Sequence, residues 1–134
     1  MDRMVLLKNL GSAVLQLEEA LRCPPDNDIV KAGCIQYFEF CFELAWKSVK
    51  QVAEGEGMLE CSSPKAALKC AFKSGWLAEE DVWLEMLSAR NRMSHTYCAA
   101  DALEVFVQLP RFLAALRQLH TELSRISSAR KSLS

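Results

Sequence analysis

Glycine and proline are scarce. Five and four among 134 residues are too few for the many tight turns that a β-sandwich or small barrel needs. Long apolar runs are missing as well. None approaches the roughly 20 residues that span a membrane, and Leu6 and Leu7 give way at once to Lys8 and Asn9, so no basic head followed by an apolar run marks a secretory leader. The six cysteines, at 23, 34, 41, 61, 70 and 98, include no C-x-x-C pair and are joined by only two histidines, a poor ligand set for structural zinc. The expectation is therefore no metal and no cofactor, reduced thiols acting mostly as small core fillers, no membrane association and a cytoplasmic location. Excess charge of one sign is lacking too. With 16 basic and 17 acidic residues the formal charge is −1, which excludes a protein whose whole surface grips nucleic acid.

What is present points to helices. Hydrophobic residues make up 51% of the chain, enough at this length for one domain with a core that needs no metal or disulfide. Charge is unevenly placed. The stretch 61–78 holds Lys65, Lys69 and Lys73 and no acid, and 111–134 holds Arg111, Arg117, Arg125, Arg130 and Lys131 against Glu122 alone.

Leu7, Leu10, Val14, Leu17 and Leu21 form one stripe of a helix over 4–22, which Pro24 and Pro25 stop. Asp26 or Asn27 is placed to cap a second helix reaching about Glu54. That helix has two apolar faces, Ile35, Phe38, Phe42, Ala45, Val49 and Val52 on one and Tyr37, Phe40, Cys41 and Leu44 on the other, with Glu43 and Lys47 spaced for an i,i+4 ion pair. Two faces need two partners. A small up-and-down bundle has no central helix, so part of the second face is expected against another copy. Ser62 or Ser63 before Pro64, with Gly75 beyond, delimits a short helix over 64–73 that sends Lys65, Lys69 and Lys73 outward. Glu79, Glu80 and Asp81 open a fourth helix that runs toward Tyr97. The last, from about Asp101 to Ile126, buries Phe106, Leu109, Leu113, Leu116, Leu119, Leu123 and Ile126; Pro110 should kink or split it. Residues 1–127 read as one domain and 128–134 as a frayed tail.

The run Ser88-Ala89-Arg90-Asn91-Arg92-Met93-Ser94-His95-Thr96-Tyr97 concentrates chemistry. Histidine takes and returns a proton near neutral pH. Arginine is a fixed cation whose forked donors match a phosphate as its charge grows. Arg90 and His95 are thus sufficient for metal-free cleavage of RNA, in which the 2′-hydroxyl is the nucleophile; DNA lacks that group and should resist. On an ideal helix, however, His95 points about 140° away from Arg90, while Tyr97 shares the arginine's face. Either the helix loosens before His95, or the site is completed across a two-fold axis by a second copy. Taken singly, Arg90 and Arg92 also suit ordinary ion pairs with Glu85 or a neighbouring helix, and His120 suits partial burial near Leu116 and Leu123.

These eight residues from Arg90 to Tyr97 resemble the R-x4-H-x-Y signature of the HEPN superfamily, in the branch called nucleotidyltransferase substrate-binding protein and also described as the HEPN toxin of minimal-nucleotidyltransferase pairs. Gln36 to Lys47 resembles that branch's second helix, Ser63-Pro64 with Ala66-Ala67 and Ala71-Phe72 its third, and Trp83-Leu84-Glu85-Met86 the lead into the signature; the similarity extends over about 5–125. The resemblance implies an all-α, up-and-down four-helix bundle with an additional short helix, forming a homodimer with a shared cleft, and a cognate minimal nucleotidyltransferase as partner. It further implies a metal-independent ribonuclease toxin with Arg90 and His95 as catalytic residues, RNA as substrate, and neutralisation by transfer of AMP onto Tyr97. Asn91 and Arg92 would position the phosphate. The alternative implication is a non-catalytic subunit that binds substrate for, or regulates, the transferase. Cys98 stands where the family commonly has an acidic cap for the last helix.

Overall fold

The computed structural model describes residues 3–58, 61–95 and 98–133. Five helices follow in order, α1 (Arg3–Arg22), α2 (Asp28–Gly55), α3 (Pro64–Lys73), α4 (Glu80–His95) and α5 (Ala99–Leu133), with no strand among the described residues. This is the all-α bundle with one short extra helix. Single side chains set its boundaries. Asn27 lies in extended backbone before α2 and its Oδ1 accepts the Val30 N–H at 3.0 Å. Ser63 does the same for α3, its Oγ accepting from the Ala66 N–H at 3.2 Å, and Pro64 occupies a first-turn position that needs no amide. Each cap contributes about 1 kcal/mol. Beyond α2 and α3 the chain turns through Gly57 and Gly75, at φ +85° and +75°, a left-handed backbone in which a Cβ would crowd the following carbonyl.

The core is built around α2. Phe38 and Phe42 are fully buried; Phe38 stacks on Phe112 of α5 with ring centroids 5.2 Å apart, and Phe42 lies 6.5 Å from Trp83 of α4. Leu7, Leu10, Val14 and Leu17 of α1 are buried as their spacing predicts.

Three expectations are corrected. α2 is central after all: it packs against all four other helices, because α3 lies along its side as an extra wall. Cys41, on the second apolar face, is buried within the chain, while Phe40 stays half exposed. α5 is not split at Pro110. The ring sits on the exposed side, where water can satisfy the carbonyl that loses its amide, and buried Val105, Leu109, Phe112 and Leu113 hold both flanks to the core. Finally, α5 continues past Ile126 to Leu133. Ser127 is buried, and the basic residues Arg130 and Lys131 are favoured near a helix C-terminus. No described helix is long and apolar enough to cross a membrane.

Burial gives Cys41 a measurable signature. Loss of water around its thiol pushes its pKa up to about 12. The unfolded chain ionises this thiol near its ordinary value, about 8.5, so the folded state's advantage is intact below that pH and is lost as pH rises toward 12. Urea unfolding at pH 10 should show a lower stability than at pH 8, and the fall should be shallower in Cys41→Ala. Equal slopes in the two proteins would remove the assignment.

Candidate functional site

Arg90 projects from the last turns of α4 toward α2. Its Nε and one terminal nitrogen each lie 2.9 Å from Glu43 Oε1, and its other terminal nitrogen donates to Asn91 Oδ1 at 3.1 Å. Glu43 is itself fixed, since its Oε2 accepts the Trp46 indole N–H at 2.9 Å. The guanidinium is thus held by a carboxylate from a helix 47 positions away in sequence and by the amide next to it. This departs from the ion pair expected between Glu43 and Lys47. Arg90 and Trp46 claim both carboxylate oxygens. Glu85 pairs with Arg111 rather than with the signature arginines.

One turn earlier on α2, Glu39 faces the same charges. Its pKa is raised by burial and by the negative charge of Glu43, and Arg90 opposes the shift. The spacing of α2 pairs Glu43 with Lys47 and connects neither Glu39 nor Glu43 to Arg90. The available signal was their position inside the Gln36–Lys47 stretch that resembles the family's second helix.

Arg92 points the other way, to α5, with Glu104 Oε2 at 3.0 Å and Asp101 Oδ1 at 3.6 Å. It ties the two helices together across the α4–α5 junction. At the start of α5 the Cys98 carbonyl accepts the Ala102 N–H at 3.0 Å, and Asp101 brings acid to the first turn. Asn91 is exposed beside Arg90. α4 is helical through His95, so it does not loosen before the histidine. The His95 side chain and the whole of Thr96 and Tyr97 lie outside the described residues. The structure therefore brings together Arg90 and Asn91, adds Glu43 and Trp46, and sets Arg92 apart.

A groove of about 410 Å³ opens beside this cluster, between the N-terminal half of α2 and the α4–α5 junction, with Ile35, Gln36 and Glu39 on one wall and Met93, Ala102 and Leu103 on the other. Exposed apolar side chains lie near it. Phe40, one turn on from Gln36, is 50% exposed; Leu103 is 51% exposed and Val107, one turn further, 66%. No cluster of metal-ligating side chains occurs among the described residues. His120 is structural: its Nε2 lies 3.1 Å from the Leu7 carbonyl, which only accepts, so that nitrogen carries the proton. Gly11 makes room for it, since a Cβ there would stand 2.9 Å from the same nitrogen.

Residues 6–125 match the family model described as nucleotidyltransferase substrate binding protein like. The probable ribonuclease HepT of Haemophilus influenzae is 31% identical over 91 residues, which cover 65% of this chain and 62% of that relative, just under two thirds of its length. Among solved structures, a protein from Thermus thermophilus superposes with a TM-score of 0.77 at 28% identity, covering 85% of this chain and 98% of its own. A Haemophilus influenzae protein, described as revealing the fold of a substrate binding domain of a nucleotidyltransferase, gives 0.75 at 28% identity, covering 88% and 98%.

Proposed function

The chain belongs to the nucleotidyltransferase substrate binding protein like family, and from that premise we propose that it is a metal-independent endoribonuclease, the toxin of a two-component pair, acting in the cytoplasm. The observation that carries this reading is the clamped Arg90: Glu43 and Asn91 hold its fork on a helix that continues to His95. Orientation fixed before substrate arrives is what charge stabilisation in a transition state requires. In the proposed reaction the 2′-hydroxyl oxygen of a ribose attacks the adjacent phosphorus. His95 handles the transferred proton, the 5′-oxygen of the next nucleotide leaves and is protonated, and Arg90 stabilises the phosphoryl oxygens. The products are a 2′,3′-cyclic phosphate and a 5′-hydroxyl. A cognate nucleotidyltransferase would neutralise the toxin by adenylylating Tyr97.

The chain acts as a homodimer. With α4 helical through position 95, positions 90 and 95 fall about 140° apart around its axis, and a two-fold axis would resolve this by bringing one copy's arginine toward the other's histidine. The half-exposed Phe40, Leu103 and Val107 around the groove supply the apolar surface for that contact. Sedimentation should show a dimer, and Phe40→Glu with Val107→Glu should yield a monomer without nuclease activity. A dimer unaffected by both changes places the interface elsewhere.

A second reading is favoured by a specific observation. Arg90 and Arg92 both already face carboxylates, as in a binding module that presents substrate to a transferase or regulates it. The decisive experiment incubates the purified chain, free of partner, with RNA in excess chelator. Cleavage to 2′,3′-cyclic ends, with DNA uncut, supports the nuclease; intact RNA together with altered kinetics of the transferase supports the binding module.

A further inference from the structure

Cations in this protein are distributed in two ways. Every arginine whose side chain is described has a carboxylate partner: Arg22 and Arg117 with Glu18, Arg90 with Glu43, Arg92 with Asp101 and Glu104, Arg111 with Asp81 and Glu85, and Arg125 with Glu122. Their positive charge is largely cancelled where it stands. At the candidate site the balance is neutral or worse for a polyanion, because Glu39 and Glu43 accompany Arg90. An RNA strand reaching that site gains orientation from Arg90 but little net attraction, so its electrostatic affinity has to come from another surface.

The three lysines of α3 are that surface. Lys65, Lys69 and Lys73 are exposed, recur every fourth residue along one helix face, and pair with no carboxylate among the described residues. The row spans about 12 Å at 1.5 Å per residue, the length of about three to four phosphates of a stacked strand at about 3.4 Å each. With Ser62, Ser63, Ala66 and Cys70 the lysines border a shallow, open concavity of about 510 Å³. These small residues let a sugar–phosphate chain come close, the serine hydroxyls can donate, and the N-terminal end of α3 adds positive potential. No acid interrupts the stretch 61–78.

We propose that the α3 lysine row is a sequence-independent binding surface for the phosphate backbone of single-stranded RNA, separate from the Arg90 cluster. It deepens the ribonuclease reading by giving the substrate a place to dock, and it rests on that reading only for the identity of the polyanion. Lysine point charges without base-edge donors predict attraction without sequence preference.

The test uses the full wild-type chain and a labelled 2′-O-methyl oligouridylate, which cannot be cut through a 2′-hydroxyl, so binding is read apart from cleavage. Affinity is measured over a series of salt concentrations for wild type and for the Lys65→Gln, Lys69→Gln, Lys73→Gln triple variant, with circular dichroism confirming the fold of both. The slope of log affinity against log salt should fall by about 0.7 for each lysine removed, about 2 in all. An unchanged slope, or no binding of the oligomer by wild type, overturns the proposal. So does an unchanged slope with weakened association to the cognate nucleotidyltransferase, which assigns the row to an acidic protein surface instead. The slope change in a protein that cuts no RNA keeps the docking surface and removes the nuclease; cleavage with an unchanged slope does the reverse.

Discussion

If the proposed ribonuclease function holds, replacing Arg90 with alanine should lower metal-free RNA cleavage by about 10²–10³-fold, while the thermal midpoint should move by only about 4 °C. The two parts of that result come from different physics. The ion pair with Glu43 is partly open to water, with side-chain exposures of 29% and 34%, so breaking it costs about 1 kcal/mol; Glu43 also keeps the Trp46 N–H. In the proposed reaction catalysis should be affected far more, because negative charge grows on the phosphoryl oxygens only as the bond forms, and a preset donor fork would meet that charge without reorganising. The loss should therefore appear mainly in kcat rather than KM. Arg90→Lys should restore little, since an ammonium is a point charge with no planar fork to be gripped by Glu43 and Asn91 together. Glu43→Gln keeps an acceptor but removes the charge that orients the fork, and should fall between wild type and Arg90→Ala in kcat. His95→Ala should lose about 10²–10⁴-fold. Full activity in both Arg90→Ala and His95→Ala would end the nuclease assignment.

How much of this was readable beforehand depended on range. Caps and stops act over three or four residues, so Asp26 or Asn27, Ser62 or Ser63 before Pro64, and Gly75 mark the boundaries of α2 and α3, and the structure selects Asn27 and Ser63 as the caps. Faces were readable where the period is strict, as in Leu7, Leu10, Val14 and Leu17. On α5 the stripe was read one position off at its start. Phe106 is only partly buried while Val105 and Phe112 are in the core, because two phases of a 3.6-residue repeat fit the same apolar-rich stretch. The end of α5 was read too early for a related reason: apolar periodicity stops at Ile126, but helix propensity in an Ala-, Arg- and Lys-containing tail does not. Contacts between distant helices left no local trace. The signature pointed to Arg90, yet nothing within a turn of it named Glu43, and nothing in α2 alone showed that α3 would lie against it and make it central.

Phe38→Ala and Phe40→Ala separate the two faces of that central helix. Phe38 is fully buried, stacked at 5.2 Å on Phe112 and 6.3 Å from Phe42, so truncation removes the ring from a site whose walls belong to α2 and α5 and cannot close freely. The cost should be about 3–5 kcal/mol, a large share of the roughly 5–15 kcal/mol that holds a domain folded. The thermal midpoint should drop by about 10–20 °C. Phe38→Leu keeps most of the volume and should cost about 1.5 kcal/mol. Phe40 is two positions away and half exposed, with Tyr37 edge-on at 6.4 Å as its ring contact. If it meets a second copy, Phe40→Ala acts through association, and its effect on the midpoint grows as protein is diluted; the Phe38→Ala deficit arises within one chain and persists at every concentration. Thermal unfolding followed by circular dichroism across a dilution series reads both. Equal, concentration-independent losses at the two positions would mean that both rings serve a single intramolecular core, and the apolar groove beside Arg90 would then need no partner copy to explain it.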